Sequence, residues 1–167
     1  MQKSLGKDVA KTNFMQPYIV FLQLGSNMGQ RSELLARARS LIAQRIGPIL
    51  LSSSVMETAA WGNTDQPSFL NQVLKIISFL GPEDLLDAAL TIEKDLGRER
   101  SKKWGPRLID IDIIAIEQQI IDLPHLSVPH LWLHQRLFVL QPMAEIAPDW
   151  QHPVYKCSVR DMMESLL

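Results

Sequence analysis

Two aspartates stand two positions apart in an otherwise apolar run: "GPRLIDIDII", Gly105–Ile114, carries Asp110 and Asp112. Side chains at i and i+2 of a strand point the same way, so the two carboxylates project together. An isolated D-x-D is also found as an ordinary polar pair at a strand edge. Here its neighbours are Leu108, Ile109, Ile111, Ile113 and Ile114, and carboxylates among such residues are costly unless compensated. Each charge also raises the pKa of the other. A divalent cation answers both problems, and Mg²⁺ prefers a few carboxylates completed by phosphate oxygens and water.

The segment just before the pair supplies positive charge. "RERSKKWGPR" (Arg98–Arg107) holds Arg98, Arg100, Lys102, Lys103 and Arg107 against the single acid Glu99. Most such runs are solvated faces. Next to an acidic pair, however, the cations suit a polyphosphate gripped by arginines and metal together. Trp104 in this loop either closes over a bound ring or anchors the loop. Weaker signals are the Gly25-Ser26-Asn27 turn, His130 after Val128-Pro129, and Arg136 six residues on. Asn71 sits in an apolar strand, where its amide needs a partner; Phe69 and Phe138 are core residues by default. His130 and His134 have the spacing of a helical metal pair, but "HLWLH" lacks the zinc-protease glutamate and Pro129 disturbs a helix there.

These residues need elements to position them. "YIVFLQLGSN" (18–27) predicts a buried strand running into a turn. Leu34, Leu35, Ala38, Leu41, Ile42 and Ile46 recur at helical spacing, and Gly47-Pro48 stops that helix. Residues 49–58 and 69–80 read as a second and a third strand, with a loop over 59–68. Gly81-Pro82-Glu83-Asp84 opens a second helix that Gly97 ends. Leu108–Ile116 is the fourth strand, followed by a turn at Gln118-Gln119. The remainder mixes loops with a short helix, Val159–Leu167, which Ser158 and Asp161 cap. The order β-α-β-β-α-β predicts an α+β fold, a ferredoxin-like βαββαβ sandwich. Its antiparallel sheet carries helices on one face, leaves the other face free for ligands, and is extended by C-terminal elements.

The chain has 167 residues, 46% of them hydrophobic, with formal net charge −1. This suits one domain over 17–167 behind a loose leader at 1–16. No basic block of the kind that tracks a phosphate backbone is present, which argues against nucleic acid. No apolar run reaches membrane-spanning length and the first residues lack an apolar signal core, so a cytoplasmic protein is expected. Cys157 is the only cysteine, which excludes an intrachain disulfide.

Four segments occur in order: "LGSN", "DQPSFLN", "GRERSKKWGPRLIDIDI" and "VPHLWLHQRLFVLQPMAEIAP". Together they resemble the 6-hydroxymethyl-7,8-dihydropterin pyrophosphokinases of folate biosynthesis, over roughly residues 18–165. The resemblance implies an enzyme that carries pyrophosphate from ATP to the hydroxymethyl group of the reduced pterin and releases AMP. It implies two Mg²⁺ ions held by Asp110 and Asp112, with ATP as co-substrate. Arg98 and Arg107 would bind phosphates, and Arg100, Trp104, Ile113, Ser127, His130 and Arg136 match other ATP-site positions. The pterin would lie between Phe69 and Phe138 with its polar edge on Asn71. Gly25, Thr58, Ala59, Trp61 and Trp104 would surround it, and Glu93 matches an acid of the family's site. A monomer is expected. There are departures: Ala59-Ala60 stands where Pro-Pro is common, Trp61 replaces a smaller apolar residue, and Leu131 stands where a tyrosine is common. A non-catalytic ferredoxin-like binding or regulatory module is the competing expectation, and an RNA-binding sheet a weaker one. The first has no use for an acidic pair beside Arg107, and the second would need an aromatic RNP segment and a basic surface that the sequence lacks.

Overall fold

The computed structural model describes residues 16–99 and 106–167. Their elements run β1 (Tyr18–Ser26), α1 (Arg31–Arg45), β2 (Ile49–Ser52), β3 (Met56–Thr58), β4 (Phe69–Ser78), α2 (Pro82–Asp95) and β5 (Asp110–Ile116). Then follow β6 (Ile121–Leu123), β7 (Leu126–Val128), α3 (Leu137–Ile146) and α4 (Val159–Glu164). The main sheet has the order β2-β4-β1-β5, with β3 also on β4, and every pairing is antiparallel. This is the ferredoxin-like arrangement, with β2 and β3 as one interrupted strand. The interruption has a local cause. The Ser53 amide donates to Val73 O at 2.9 Å, and the Ser53 hydroxyl accepts the Val73 amide at 2.9 Å. A side chain thus takes over one ladder position, and the expected single strand over 49–58 breaks there.

One face of the sheet packs on α1 and α2. Val20, Leu22, Leu24, Leu74, Ile76, Ile111 and Ile113 meet Leu35, Ala38, Ile42, Leu85, Ala89 and Ile92. Pro82 occupies the first turn of α2 with Glu83 and Asp84 beside it, where no amide partner is lost and acids favour the helix's positive end. Gly97 follows the helix with φ of 93°, the left-handed conformation that a C-terminal stop requires.

The other face is not left free along its whole length. Phe21, Val73, Ile114 and Ala115 are covered by Val139, Leu140, Met143, Val159 and Met162 of α3 and α4. α3 is a helix that the sequence signals did not predict, because Pro142 lies inside it and proline usually marks a break. The capping box of α4 is as expected: Ser158 Oγ accepts the Asp161 amide at 3.1 Å, and Asp161 Oδ2 accepts the Ser158 amide at 2.9 Å. A bulge in the β1–β5 pairing shifts the register between Phe21 and Leu22. It turns the consecutive Ile114 and Ala115 both toward α3, so β5 serves the second core without moving Asp110 and Asp112 off that same face.

Gly47 ends α1 against β4. A Cβ there would run into the Ile77 carbonyl oxygen. Gly47→Ala therefore has to push α1 and β4 apart, and should cost about 1–3 kcal/mol. Urea denaturation of the purified variant measures it; an unchanged midpoint would show that the junction yields freely.

Candidate active site

The end of the second face that α3 and α4 leave open forms a cleft of about 570 Å³. Strand alternation decides what its floor presents. Gly25 of β1 pairs with Asp110 on one side and with Asn71 on the other, and Gln23 pairs with Asp112. Asp110, Asp112, Gly25, Gln23, Asn71 and Phe69 therefore share one face. Ile111 and Ile113 point the opposite way from the same strand. β5 is a sheet edge, so the cleft wraps around it and is lined from both of its faces.

Two groups of lining residues result. On the Asp110 face stand Gly25, Thr58, Ala59, Trp61, Phe69, Asn71, Arg136 and Phe138; around the Ile113 face stand Leu86, Leu90, Glu93, Leu126, Ser127 and His130. Arg98, Arg107, Asp110 and Asp112 line the same cleft. Every candidate among the described residues is thus brought to one cavity. Arg100 and Trp104 lie outside the described residues.

The charges are tightly linked. Asp110 receives Arg98 Nη1 on Oδ1 at 2.7 Å and Arg107 Nη1 on Oδ2 at 2.8 Å. Arg98 also reaches Glu93 Oε2 at 2.5 Å, and Glu93 Oε1 accepts the Ile111 amide at 2.7 Å. Glu93 is only 3% exposed. Burial and the nearby Asp110 charge push its carboxyl up to about 7, against Arg98 and the Ile111 amide. The Asp112 carboxylate makes no hydrogen bond or ion pair among the described residues; burial first, then the Asp110 charge, push it up to about 8. Burial and the positive charge of Arg136 hold the His130 imidazole down at about 4, so it is neutral near pH 7. Its Nδ1 accepts the Trp132 amide at 3.2 Å, and Arg136 Nη1 lies 3.3 Å from its Nε2. Arg136 stacks over the Trp61 ring, 4.7 Å from its centroid, and lies 5.6 Å from that of Phe138.

Several site contacts escaped the sequence reading. Gln23 is buried and donates to Asn71 Oδ1 at 2.9 Å, while Asn71 Nδ2 donates to Thr58 Oγ1 at 2.6 Å. A glutamine inside an apolar strand was the available signal. Asn27 donates to Gln66 Oε1 and to the Pro67 carbonyl at 3.0 and 3.1 Å. It also accepts the Arg107 amide at 2.9 Å, so one side chain joins the two loops flanking the cleft. Leu86, Leu90 and Leu126 also line the cleft, and nothing local marked them.

The family model described as 7,8-dihydro-6-hydroxymethylpterin-pyrophosphokinase (HPPK) matches residues 21–148. The chain belongs to this family. Its members are pyrophosphokinases, hence transferases. A 2-amino-4-hydroxy-6-hydroxymethyldihydropteridine pyrophosphokinase from Methylorubrum extorquens is 44% identical over 130 residues, covering 77% of this chain and 82% of the other. The protein of the same description from Bacillus subtilis is 41% identical over 129 residues, 77% of each chain. The folic acid synthesis protein fol1 of Schizosaccharomyces pombe is 36% identical over 167 residues, and the match spans 22% of its length. Among solved structures, Plasmodium falciparum HPPK-DHPS with pteroate superposes with a TM-score of 0.75 over 90% of this chain and 42% of the other. At 15% identity that likeness speaks to the fold.

In this HPPK-family chain the raised Asp112 pKa has a thermodynamic consequence. An unfolded aspartate titrates near 3.9. Between there and about 8 the folded form holds the extra proton, so stability falls as pH rises through that window. Asp112→Asn removes the effect. In metal-free buffer its melting temperature should exceed the unsubstituted protein's by a margin that widens from pH 5 to pH 8, to at least about 3 °C. A margin that shrinks with pH would mean the carboxyl is not held up.

Proposed function

We propose that the chain transfers pyrophosphate from ATP to the hydroxymethyl group of 6-hydroxymethyl-7,8-dihydropterin, giving AMP and the pterin pyrophosphate, with two Mg²⁺ ions on Asp110 and Asp112. One observation carries this reading. Two carboxylates share a face of an edge strand, where a cluster of aromatic rings meets an apolar groove, with two arginines beside them. Family membership supports it, since relatives are named for this pterin substrate. A non-catalytic module would have no use for charges so expensively buried.

The residues fit the metal. Asp110 and Asp112 offer hard oxygen donors side by side, and the Asp112 carboxylate has no hydrogen bond or ion pair among the described residues. Among the described residues no cluster of three or more acids, histidines or cysteines builds a closed cage, which suits Mg²⁺ completed by phosphate oxygens and water. Bound there, Mg²⁺ would neutralise phosphate oxygens and polarise the reacting hydroxyl. The protein's own part is positioning and charge. Phe69 and Phe138 hold the pterin ring by its faces. Gly25 places no side chain on the floor between Asn71 and Phe69, and Gln23 fixes the Asn71 amide, which with Thr58 meets the ring's polar edge. Arg98 and Arg107 turn to the β- and γ-phosphates, spreading the charge of the migrating group while AMP leaves. Ile113, Ser127, His130 and Arg136 hold the nucleotide. This brings the hydroxymethyl oxygen in line with the β-phosphorus.

With ATP, Mg²⁺ and the pterin, chromatography should show AMP and pterin pyrophosphate in equal amounts. ADP as the main product, or ATP hydrolysis at a similar rate without pterin, overturns the reaction. Asp110→Ala and Asp112→Ala should each lower turnover at least ~100-fold with the fold kept; near-normal activity in both removes the carboxylates from the chemistry.

Phe69→Ala should weaken pterin binding about tenfold through lost stacking and burial. Binding of a non-hydrolysable ATP analogue should change less than about twofold, since Phe69 carries no part of the charge network. Phe138→Ala is less clean, because Phe138 also supports Arg136. Normal pterin binding by calorimetry in the Phe69 variant would displace the pocket.

A further inference from the structure

Both oxygens of Asp110 are already engaged in this structure. Arg98 holds Oδ1 and Arg107 holds Oδ2, at 2.7 and 2.8 Å. Arg98 is gripped from its other side by Glu93, which the Ile111 amide fixes in place. These side chains are poorly hydrated: Arg98, Arg107 and Asp110 are each exposed by a fifth or less, and Glu93 hardly at all. A divalent cation arriving alone would meet two guanidinium groups where it needs a carboxylate. Arg136 adds a third positive charge near Asp112. A cation arriving with a polyphosphate meets a different balance, because the phosphate oxygens offer the guanidiniums stronger, bidentate partners.

We propose that Arg98 and Arg107 occupy Asp110 as internal substitutes for the metal, shutting out free divalent cations until a nucleotide's phosphates draw the arginines off. The same two arginines then serve twice: they neutralise a buried carboxylate in the empty enzyme and the phosphates in the loaded one. Metal and nucleotide consequently enter as a coupled pair. The empty site is not primed with metal-bound water. This rests on the assignment of Asp110 and Asp112 as metal ligands.

The test measures Mn²⁺ binding to nucleotide-free protein by electron paramagnetic resonance, for the unsubstituted chain, Arg98→Gln and Arg107→Gln. The original chain should bind free Mn²⁺ weakly. Each glutamine variant should bind it at least about tenfold tighter, as removal of a like charge a few ångströms away allows, while binding an α,β-methylene ATP analogue more weakly. Adding Asp112→Asn should abolish the gain. If a glutamine variant does not fold, Arg107→Lys, with a shorter reach and no fork, should give a smaller gain of the same sign. Unchanged or weaker Mn²⁺ binding in folded variants overturns the proposal. The underlying metal assignment fails separately: with the ATP analogue present, the original chain would then bind the same number of Mn²⁺ ions as Asp112→Asn. Two ions per analogue-bound chain, without any gain in the arginine variants, would leave that assignment standing and remove the exclusion alone.

Discussion

Three carboxylates, Glu93, Asp110 and Asp112, are gathered where water is scarce, and that crowding of like charge governs the rest of the site. Their mutual repulsion, added to burial, raises the pKa of Glu93 and Asp112. Such a cluster persists only with counter-charge at hand. Arg98 at the end of α2 and Arg107 just ahead of β5 supply part of it on Asp110. Among the described residues, Asp112 receives longer-range help from Arg136 and Arg107. The fold thus holds a standing demand for positive charge at one point of the cleft floor, which the proposed metal–nucleotide complex would answer.

The architecture keeps that demand local. The second face of the sheet is divided: Phe21, Val73, Ile114 and Ala115 are apolar and roofed by α3 and α4, while Gln23, Gly25, Asn71, Asp110 and Asp112 form the floor of the cleft. The bulge near Phe21 lets one short strand supply both halves. Because β5 is an edge strand, its two faces line a single cleft, and aromatic and aliphatic groups come to lie on either side of the carboxylates. A central strand could not do this, since both its edges would be closed by neighbours.

Rigid support comes from neutral polar side chains. The chain of hydrogen bonds from Gln23 through Asn71 to Thr58 crosses three strands and fixes an amide at the cleft wall. Asn27 ties the 59–68 loop to the Arg107 backbone. Buried hydrogen-bond chains of this kind favour one geometry, because an alternative would break these bonds where water cannot replace them.

Much of the fold is legible in the sequence. The four main strands and the first two helices follow from apolar periodicity and from Gly-Pro punctuation, both local properties of the chain. The D-x-D alternation put Asp110 and Asp112 on one face, because side-chain direction in a strand depends only on parity. The α3 helix was not legible: Pro142 argues against it locally, and it is held by burial of Val139, Leu140 and Met143 against the sheet. Nor could the sequence distinguish Leu86 and Leu90 from ordinary core leucines, or show that Asn27 joins loops about 40 and 80 residues away. What the sequence by itself determined is which residues alternate, where elements start and stop, and which charges are locally uncompensated. Only the tertiary structure decided that β5 lies at the sheet edge, that Arg98 and Arg107 both settle on Asp110, and that the Asp112 carboxylate has no hydrogen-bond partner among the described residues. These outcomes depend on strand order and on contacts between distant segments, and no local periodicity encodes them.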